Sequence, residues 1–179
     1  MNLRQIIVLP FLLLILASSA GAQGNIPDFT ARDLNGREVH FMKDLRGRKA
    51  LMGFAFSTSV QQSLETWIEP IFYEMIDTNS LGSMVYDNEV YLVICFNKSN
   101  ASFRERVRRD LIQNVLPECY ANVVLTEADG NELKESLHVS DKSVPYLFAV
   151  DREGRIRDRA SGSYSEKKFD QLSEYMEID

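Results

Sequence analysis

The sequence predicts an α/β protein, a three-layer sandwich in which a mixed central sheet carries helices on both faces. Two continuously apolar runs, residues 50–56 and 90–96, have the pattern of strands that are buried on both sides. Stretches with apolar residues three and four positions apart follow each run, which is the spacing of a helix face. Two strand-like segments around a turn at residues 151–154 form a closing hairpin.

Residues 1–22 have the pattern of a signal peptide. A cationic start with Arg4 precedes an apolar run of about a dozen residues, and the small residues at positions 20–22 form a cleavage site. A membrane-spanning helix needs ~20 apolar residues, so a retained anchor is the less favoured alternative. We therefore predict one domain over residues 23–179, exported to the periplasm or the extracellular space. Asn97 and Asn100 fit the N-glycosylation pattern, which matters only in a eukaryotic host.

Composition and charge exclude several classes of protein. The chain has 179 residues with 20 basic and 26 acidic side chains, a net charge of −6, which disfavours nucleic acid as a partner. His40 and His138 have no acidic or cysteine neighbours at ligand spacing, and two cysteines are too few for a disulfide scaffold. We therefore expect no metal site and no cofactor.

The domain is expected to begin with a short hairpin and a buried strand. Asn35-Gly36 is a turn dipeptide, and residues 29–34 and 37–41 on either side of it have strand character. The apolar run at residues 50–56 then forms the central strand.

A long amphipathic helix is predicted from Ser59. Its apolar face consists of Val60, Leu64, Trp67, Ile68, Ile71, Phe72 and Met75. Ser59 with Gln62 fits a capping box, in which the two side chains satisfy the first free amides of a helix. Pro70 is expected to kink the helix because it lacks an amide donor and crowds the preceding turn.

The remaining elements follow in alternation. They are a strand at residues 90–96, a helix that Pro117 ends, a strand at 123–125, a helical turn at 133–137, hairpin strands at 146–150 and 155–159, and a last helix. Ser102 with Glu105 fits a second capping box, and Ser165 is expected to cap the last helix.

Three segments carry a pattern that covers almost the whole chain after residue 25. The first is IPDFTARDLNGREVHFMKDLRGRKALMGFAF, the second is the central strand with its helix, and the third is SVPYLFAVDREGRI. Together they resemble the thioredoxin-like superfamily, in its exported branch of alkyl hydroperoxide reductase and cytochrome-maturation type. The resemblance implies a thioredoxin-like sandwich, with Val144-Pro145 at the superfamily's cis-proline and Asp151 opening its Asp-x-x-Gly-x-Ile hairpin.

The same resemblance shows that the redox pair is missing. Thiol–disulfide members carry C-x-x-C just after the central strand, where a helix N-terminus stabilises a thiolate. Here that stretch reads FSTSVQQSLETW, and each alignment places the reactive positions on Ser59, Gln62 or Ser63. A hydroxyl cannot replace a thiolate as the attacking group, so the sequence predicts a redox-inactive member.

A narrower pattern joins the long helix to the closing hairpin. Trp67-x-x-Pro70-x-Phe72, and Ile156-Arg157 followed by Ala-Ser-Gly-Ser at residues 160–163, are similar to the mitochondrial ATP synthase assembly factor family. This resemblance implies a thioredoxin-like domain without a redox pair that helps a membrane subunit to assemble. It adds a membrane protein to the expected partners.

We expect the partner to be a protein or an extended peptide. In active relatives the backbone beside the cis-proline pairs with a substrate strand, and the helix N-terminus offers free amide donors. The expected binding residues are Ser59, Val60, Gln62, Val144, Pro145 and Tyr146. Val60 and Tyr146 would make apolar contacts, and Ser59 and Gln62 would form hydrogen bonds. Two other surfaces stay open for a partner, the loop at residues 77–89 and the helix with Arg104, Arg106, Arg108 and Arg109.

The alternative function is that of a thiol-dependent oxidoreductase or peroxidase. It would use Cys119, with Cys95 as a possible resolving partner. Cys119 follows Pro117-Glu118 at a helix end and is expected near the surface, whereas Cys95 lies in an apolar run and is expected in the core with a raised pKa. Their Cα atoms are expected to be farther apart than the ~7 Å that a disulfide allows.

Overall fold

The computed structural model describes residues 24–178. The predicted signal peptide, residues 1–22, lies outside this part of the chain. Within the described residues, no helix combines the length and the apolar character needed to cross a membrane.

A mixed sheet forms the middle layer, as predicted, and it has seven strands within the described residues. The strands are β1 (Thr30–Asp33), β2 (Glu38–His40), β3 (Lys49–Ala55), β4 (Asn88–Ile94), β5 (Val123–Thr126), β6 (Tyr146–Val150) and β7 (Ile156–Ser161). They lie in the order β2-β1-β5-β4-β3-β6-β7. β4 is parallel to both of its neighbours, whereas β6 is antiparallel to β3 and β7.

Helices cover both faces of the sheet. They are α1 (Phe41–Asp44), α2 (Gln61–Ile71), α3 (Arg104–Asn114), α4 (Gly130–Ser136) and α5 (Glu166–Ser173). Successive strand residues point to opposite faces, so one strand contributes to two cores. On one face, which we call the α2 core, Leu51 packs in a cluster with Trp67 and Leu172. On the other face, the α4 core, Met52 packs in a cluster with Phe148.

The long helix predicted from Ser59 is present but irregular at both ends. A 3₁₀ turn at Thr58–Val60 leads into α2, and a π-helix at Phe72–Ile76 follows it. The hydrogen-bond pattern thus changes directly after Pro70, which lacks an amide donor. The capping box was wrong, because Val60 is the N-cap residue and the Ser59 hydroxyl bonds to a neighbouring serine instead.

The other predicted caps also differ from the structure. The capping box of Ser102 with Glu105 was wrong: α3 has Phe103 at its N-cap, and no side chain caps it. The preceding turn is held instead by Asn97, whose Oδ1 accepts hydrogen bonds from the next residues of the loop. Ser165 is the N-cap residue of α5, but its side chain makes no capping bond.

The predicted cis-proline was wrong. The described residues contain no cis peptide bond, so Val144-Pro145 is trans. Trans is the form that an X–Pro bond favours intrinsically. A turn held by Asp141, whose carboxylate accepts hydrogen bonds from the amide and the hydroxyl of Ser143, provides the change of chain direction before β6. The thioredoxin-like fold therefore forms without this feature.

The loop between the π-helix and β4 consists of tight turns. Short-range backbone hydrogen bonds run through residues 77–85, and the Asp87 amide donates to the Met176 carbonyl oxygen at 3.3 Å. Gly82 lies so close to Glu74 that a Cβ atom there would be 2.9 Å from the Cα and carbonyl oxygen of Glu74. This loop holds Leu81 and Met84 in solvent, 84% and 70% exposed.

Candidate functional site

The first part of the candidate site lies where β3 ends and α2 begins. The Ser57 hydroxyl lies 2.8 Å from the Ser59 hydroxyl and donates a hydrogen bond of 3.0 Å to the Lys142 carbonyl oxygen. A serine has one hydroxyl proton, so Ser59 donates to Ser57 and keeps an acceptor for solvent or a ligand. These bonds join the start of α2 to the loop that precedes β6.

A second set of contacts joins α2 to the loop that follows β7. The Trp67 indole donates to the Gly162 carbonyl oxygen at 2.9 Å, and the Ser63 and Ser163 hydroxyls are 2.8 Å apart. The Gly162 amide in turn donates to the Pro145 carbonyl oxygen at 2.9 Å. Three segments therefore meet at one end of the sheet: residues 57–63, 142–146 and 162–163. We call this region the partner surface.

The structure brings the predicted binding residues together but corrects two of them. Ser59 and Gln62 are exposed, and Tyr146 is half-buried. Val60 was expected to contact a partner, but it is 0% exposed because the 3₁₀ turn before α2 directs it into the α2 core. Pro145 was also expected to contact a partner, but it is buried.

Val144 is half-buried and lies just before the paired part of β6. From Tyr146 onward, β6 pairs with β3 on one side and with β7 on the other. Within the described residues, neither the amide nor the carbonyl of Val144 takes part in a hydrogen bond. Backbone groups in this position can pair with an extended strand.

Neither thiol is part of the partner surface. Cys95 and Cys119 are free but buried, 4% and 3% exposed. Burial raises the pKa of Cys95, and burial together with the nearby carboxylate of Glu118 raises the pKa of Cys119. The expectation that Cys119 lies near the surface was wrong, because the 3₁₀ turn at Pro117–Cys119 places it inside the protein.

The described residues contain no group of three or more histidine, cysteine and acidic side chains arranged to hold a metal ion. The partner surface presents hydroxyl, amide and backbone hydrogen-bonding groups beside a tyrosine ring.

Sequence reasoning missed the loop at residues 162–163 as part of the site. The sequence does carry a signal there, because Gly162 lies in the Ala-Ser-Gly-Ser stretch that resembles the assembly factor family. Gly162 has φ = 81°, a conformation that favours glycine and turns its carbonyl toward Trp67. The contact between Ser57 and Lys142 had no signal, because it joins residues 85 positions apart.

Solved structures similar to this chain share its fold at low sequence identity. The pneumococcal exposed lipoprotein thioredoxin Etrx1 from Streptococcus pneumoniae strain TIGR4 is 18% identical with a TM-score of 0.58, over 83% of this chain and 99% of that chain. BsSco, a member of the Sco family of cytochrome c oxidase assembly proteins, is 13% identical with a TM-score of 0.57, over 86% of this chain and 92% of that chain.

A third similar structure is a putative electron transport protein from Aquifex aeolicus VF5, which is 15% identical with a TM-score of 0.61, over 86% of this chain and 96% of that chain. A search of curated proteins found no match. Residues 23–177 match the family described as ATP10 protein. The chain therefore belongs to the ATP10 protein family, and its domain has the thioredoxin-like fold.

Proposed function

We propose that this protein is an exported, redox-inactive assembly factor that binds an extended segment of a membrane protein at the partner surface. The observation that carries the proposal is that the start of α2 lacks redox cysteines while the neighbouring backbone before β6 is free to pair with a strand. Ser59, Gln62 or Ser63 stands where the thiol–disulfide members that the chain resembles have cysteines. The strand-pairing groups of Val144 are present and unbonded within the described residues.

The state of the two thiols supports the proposed absence of redox chemistry. A thiolate is the form that attacks a disulfide or a peroxide. The raised pKa values of Cys95 and Cys119 keep both groups protonated near neutral pH. Their burial also prevents a second sulfur atom from reaching them.

The binding mode uses groups that need no cysteine. A partner strand would pair with the backbone of Val144, and its polar groups would meet Ser59 and Gln62. The half-buried ring of Tyr146 would provide apolar contact. Membership of the ATP10 family supports an assembly role, and the pattern of residues 1–22 supports export.

The first experiment measures peptide binding. Overlapping 15-residue peptides from the membrane-embedded subunits of the host's ATP synthase serve as probes in fluorescence anisotropy with the protein. We expect one or a few peptides to bind, and Gln62→Trp to weaken that binding about tenfold by occupying the surface. Gln113→Trp is the matched control, because Gln113 is also an exposed helical glutamine but lies at the end of α3.

Two results would overturn the proposal. One is that no peptide binds, or that Gln62→Trp binds as well as Gln113→Trp while both variants keep the parent's circular dichroism. The other is that the protein reduces insulin disulfides or turns over peroxide, which would establish the alternative function with Cys119 and Cys95.

A further inference from the structure

A small cationic pocket adjoins the partner surface. It has a volume of about 190 Å³ and is lined by His138, Ser140, Tyr146, Arg159, Ala160 and Ser161. Tyr146 pairs with Ser161 in the antiparallel ladder of β6 and β7, so the pocket lies at the same end of the sheet as Val144. Tyr146 belongs both to the pocket and to the partner surface.

The guanidinium of Arg159 has no partner within the described part of the chain. Two other arginines in or beside β7, Arg155 and Arg157, pair with Asp151 at 2.8 and 3.7 Å. Asp158, the acid next to Arg159, is engaged elsewhere, because its Oδ2 accepts a hydrogen bond of 2.7 Å from Gln171. Arg159 is therefore an available cation on a strand whose other cations are neutralised.

His138 is held at the pocket by an unusual backbone conformation. It is the one residue other than glycine with positive φ in the described structure, at 51°. It directly follows Leu137, the C-cap residue of α4, a position where glycine or asparagine is the usual choice. The conformation belongs to the ending of α4, in which the His138 amide donates to the Glu135 carbonyl oxygen and the Val139 amide to the Lys134 carbonyl oxygen, both at 3.0 Å. This ending places His138 in the lining of the pocket.

The lining of the pocket complements an anion. It combines a guanidinium and an imidazole with three hydroxyl groups, and it includes no carboxylate, although the chain as a whole has a net charge of −6. Arginine binds carboxylates with two parallel hydrogen bonds, and serine and tyrosine hydroxyls can complete the set. The volume fits a carboxylate group and its nearest carbon atoms but is too small for a nucleotide or another large cofactor.

We propose that this pocket binds a carboxylate of the partner, either an aspartate or glutamate side chain or the C-terminus of a peptide. The inference rests on the proposed function, since the carboxylate belongs to the segment that lies along Val144. It adds a chemical requirement to that function: the bound segment carries a negative charge at one defined position.

The test uses the 15-residue peptide that binds best to the parent protein. Each of its acidic residues is replaced singly by asparagine or glutamine, and in another version its C-terminal carboxylate is amidated. We expect one neutral version to bind the parent about tenfold more weakly, and its identity distinguishes a side chain from a C-terminus. Arg159→Gln should bind the charged and neutral versions equally, whereas the control Arg157→Gln should keep the parent's preference.

A second measurement does not need the partner. N-acetylglutamate methylamide has only a side-chain carboxylate, N-acetylalanine only a terminal one, and N-acetylglutamine methylamide none. In nitrogen–proton NMR titrations, we expect one of the two acids to shift the signals of His138 and Ser161 in the parent but not in Arg159→Gln. The neutral amide should shift neither signal.

The outcomes separate the two proposals. If peptides bind but no neutral version is weaker, or if Arg159→Gln keeps the charge preference, the carboxylate pocket is wrong and the proposed function stands. If no peptide binds, the proposed function is wrong, and the NMR titration alone decides the pocket. Equal shifts with the acids and the neutral amide would overturn the carboxylate assignment.

Discussion

Cys95 and Cys119 show how burial decides the chemistry of a residue. Cys95 follows β4, and its amide donates to the Ala55 carbonyl oxygen at 2.8 Å, which places it beside the end of β3. Its side chain nevertheless lies in the α4 core, where a Cβ atom added at Gly130 would be only 3.1 Å from it. Cys95 is therefore near the start of α2, but its buried thiol is not a reactive group at that position.

We predict that neither thiol of the native protein reacts with Ellman's reagent at pH 8, and that both react after unfolding. The reason is that the raised pKa values of Cys95 and Cys119 keep the thiols protonated, and burial blocks access. Rapid reaction of one thiol in the folded protein would contradict this prediction.

The same pKa shifts predict that the protein loses stability in alkali. Thiols of the unfolded chain ionise near pH 8.5, whereas those of the folded chain ionise only at higher pH. Their contribution to stability is therefore complete below about pH 8.5 and falls as the pH rises toward the pKa of the folded chain. Each thiol lowers the free energy of unfolding by up to about 1.4 kcal/mol per pH unit above that point.

Urea unfolding at pH 8, 9 and 10 measures this effect. The double variant Cys95→Ala with Cys119→Ala is the comparison, since it removes both ionising groups. The compared quantity is the change in the free energy of unfolding with pH, so a lower stability of the variant at pH 8 does not affect the test. Between pH 9 and 10, the free energy of unfolding of the variant should fall less than that of the parent. Equal slopes for the two proteins would show that the thiols do not cause the alkaline loss.

At the scale of elements, α2 is held to the loop after β7 by Trp67. The indole stacks edge-on against Tyr164 with ring centroids 5.3 Å apart, and its N–H bonds to Gly162. Both segments contribute to the partner surface, so this contact keeps the spacing of the surface constant.

We predict that the hydrogen bond of the Trp67 N–H stabilises the protein, in addition to the stabilisation that comes from packing of the ring. Trp67→benzothienylalanine keeps the ring size but lacks the N–H group, and it should lower the free energy of unfolding by about 1 kcal/mol. Hydrogen exchange at the Tyr164 amide, which bonds to the Thr66 hydroxyl at 2.9 Å, should become faster. An unchanged free energy of unfolding and unchanged exchange would show that packing alone holds this contact.

The turn at Gly82 is a second element whose packing can be tested. Gly82→Ala would place a Cβ atom 2.9 Å from backbone atoms of Glu74 in the π-helix. We expect it to lower the free energy of unfolding by about 1–3 kcal/mol, because the backbone must shift to relieve the contact. Gly24→Ala is the matched control, since nothing lies within 4 Å of its Cβ position. Equal urea midpoints for the two variants would contradict this account.

At the scale of the whole molecule, the two cores share one sheet. Neighbouring residues of β6, Leu147 and Phe148, belong to the α2 core and the α4 core. A defect in either core therefore loosens strands that the other core needs. We infer that the domain unfolds as one cooperative unit.

This inference predicts that a destabilising substitution in one core also lowers the melting temperature of the other. Phe148→Ala in the α4 core should lower the free energy of unfolding by about 3–5 kcal/mol, and Leu172→Ala in the α2 core by about 2–5 kcal/mol. In each variant, the fluorescence of Trp67 and far-ultraviolet circular dichroism should report the same melting temperature. Phe103→Ala is the control, because Phe103 is 54% exposed.

The result that would contradict cooperativity is specific. If Phe148→Ala lowers the circular dichroism transition but leaves the Trp67 fluorescence transition where it is in the parent, the two cores unfold independently.

Local patterns in the sequence determined the fold class and the position of each strand. Apolar runs become β3 and β4 because a strand covered on both faces needs apolar residues at successive positions. The dipeptide Asn35-Gly36 marks the turn between β1 and β2 because glycine adopts positive φ there. The absence of a C-x-x-C pair could also be read directly from the sequence, because it depends only on which residues occupy those positions.

Only the tertiary structure decided which candidate residues face solvent. Val60 and Cys119 are each the last residue of a 3₁₀ turn whose orientation depends on the sheet beneath it, and both are buried. The bond from Trp67 to Gly162 spans 95 positions. Contacts of this kind arise from the packing of helices on strands, for which a single sequence carries no periodic signal. That is why the helices and strands could be predicted from the sequence, whereas the membership of the partner surface and the pocket around Arg159 could not.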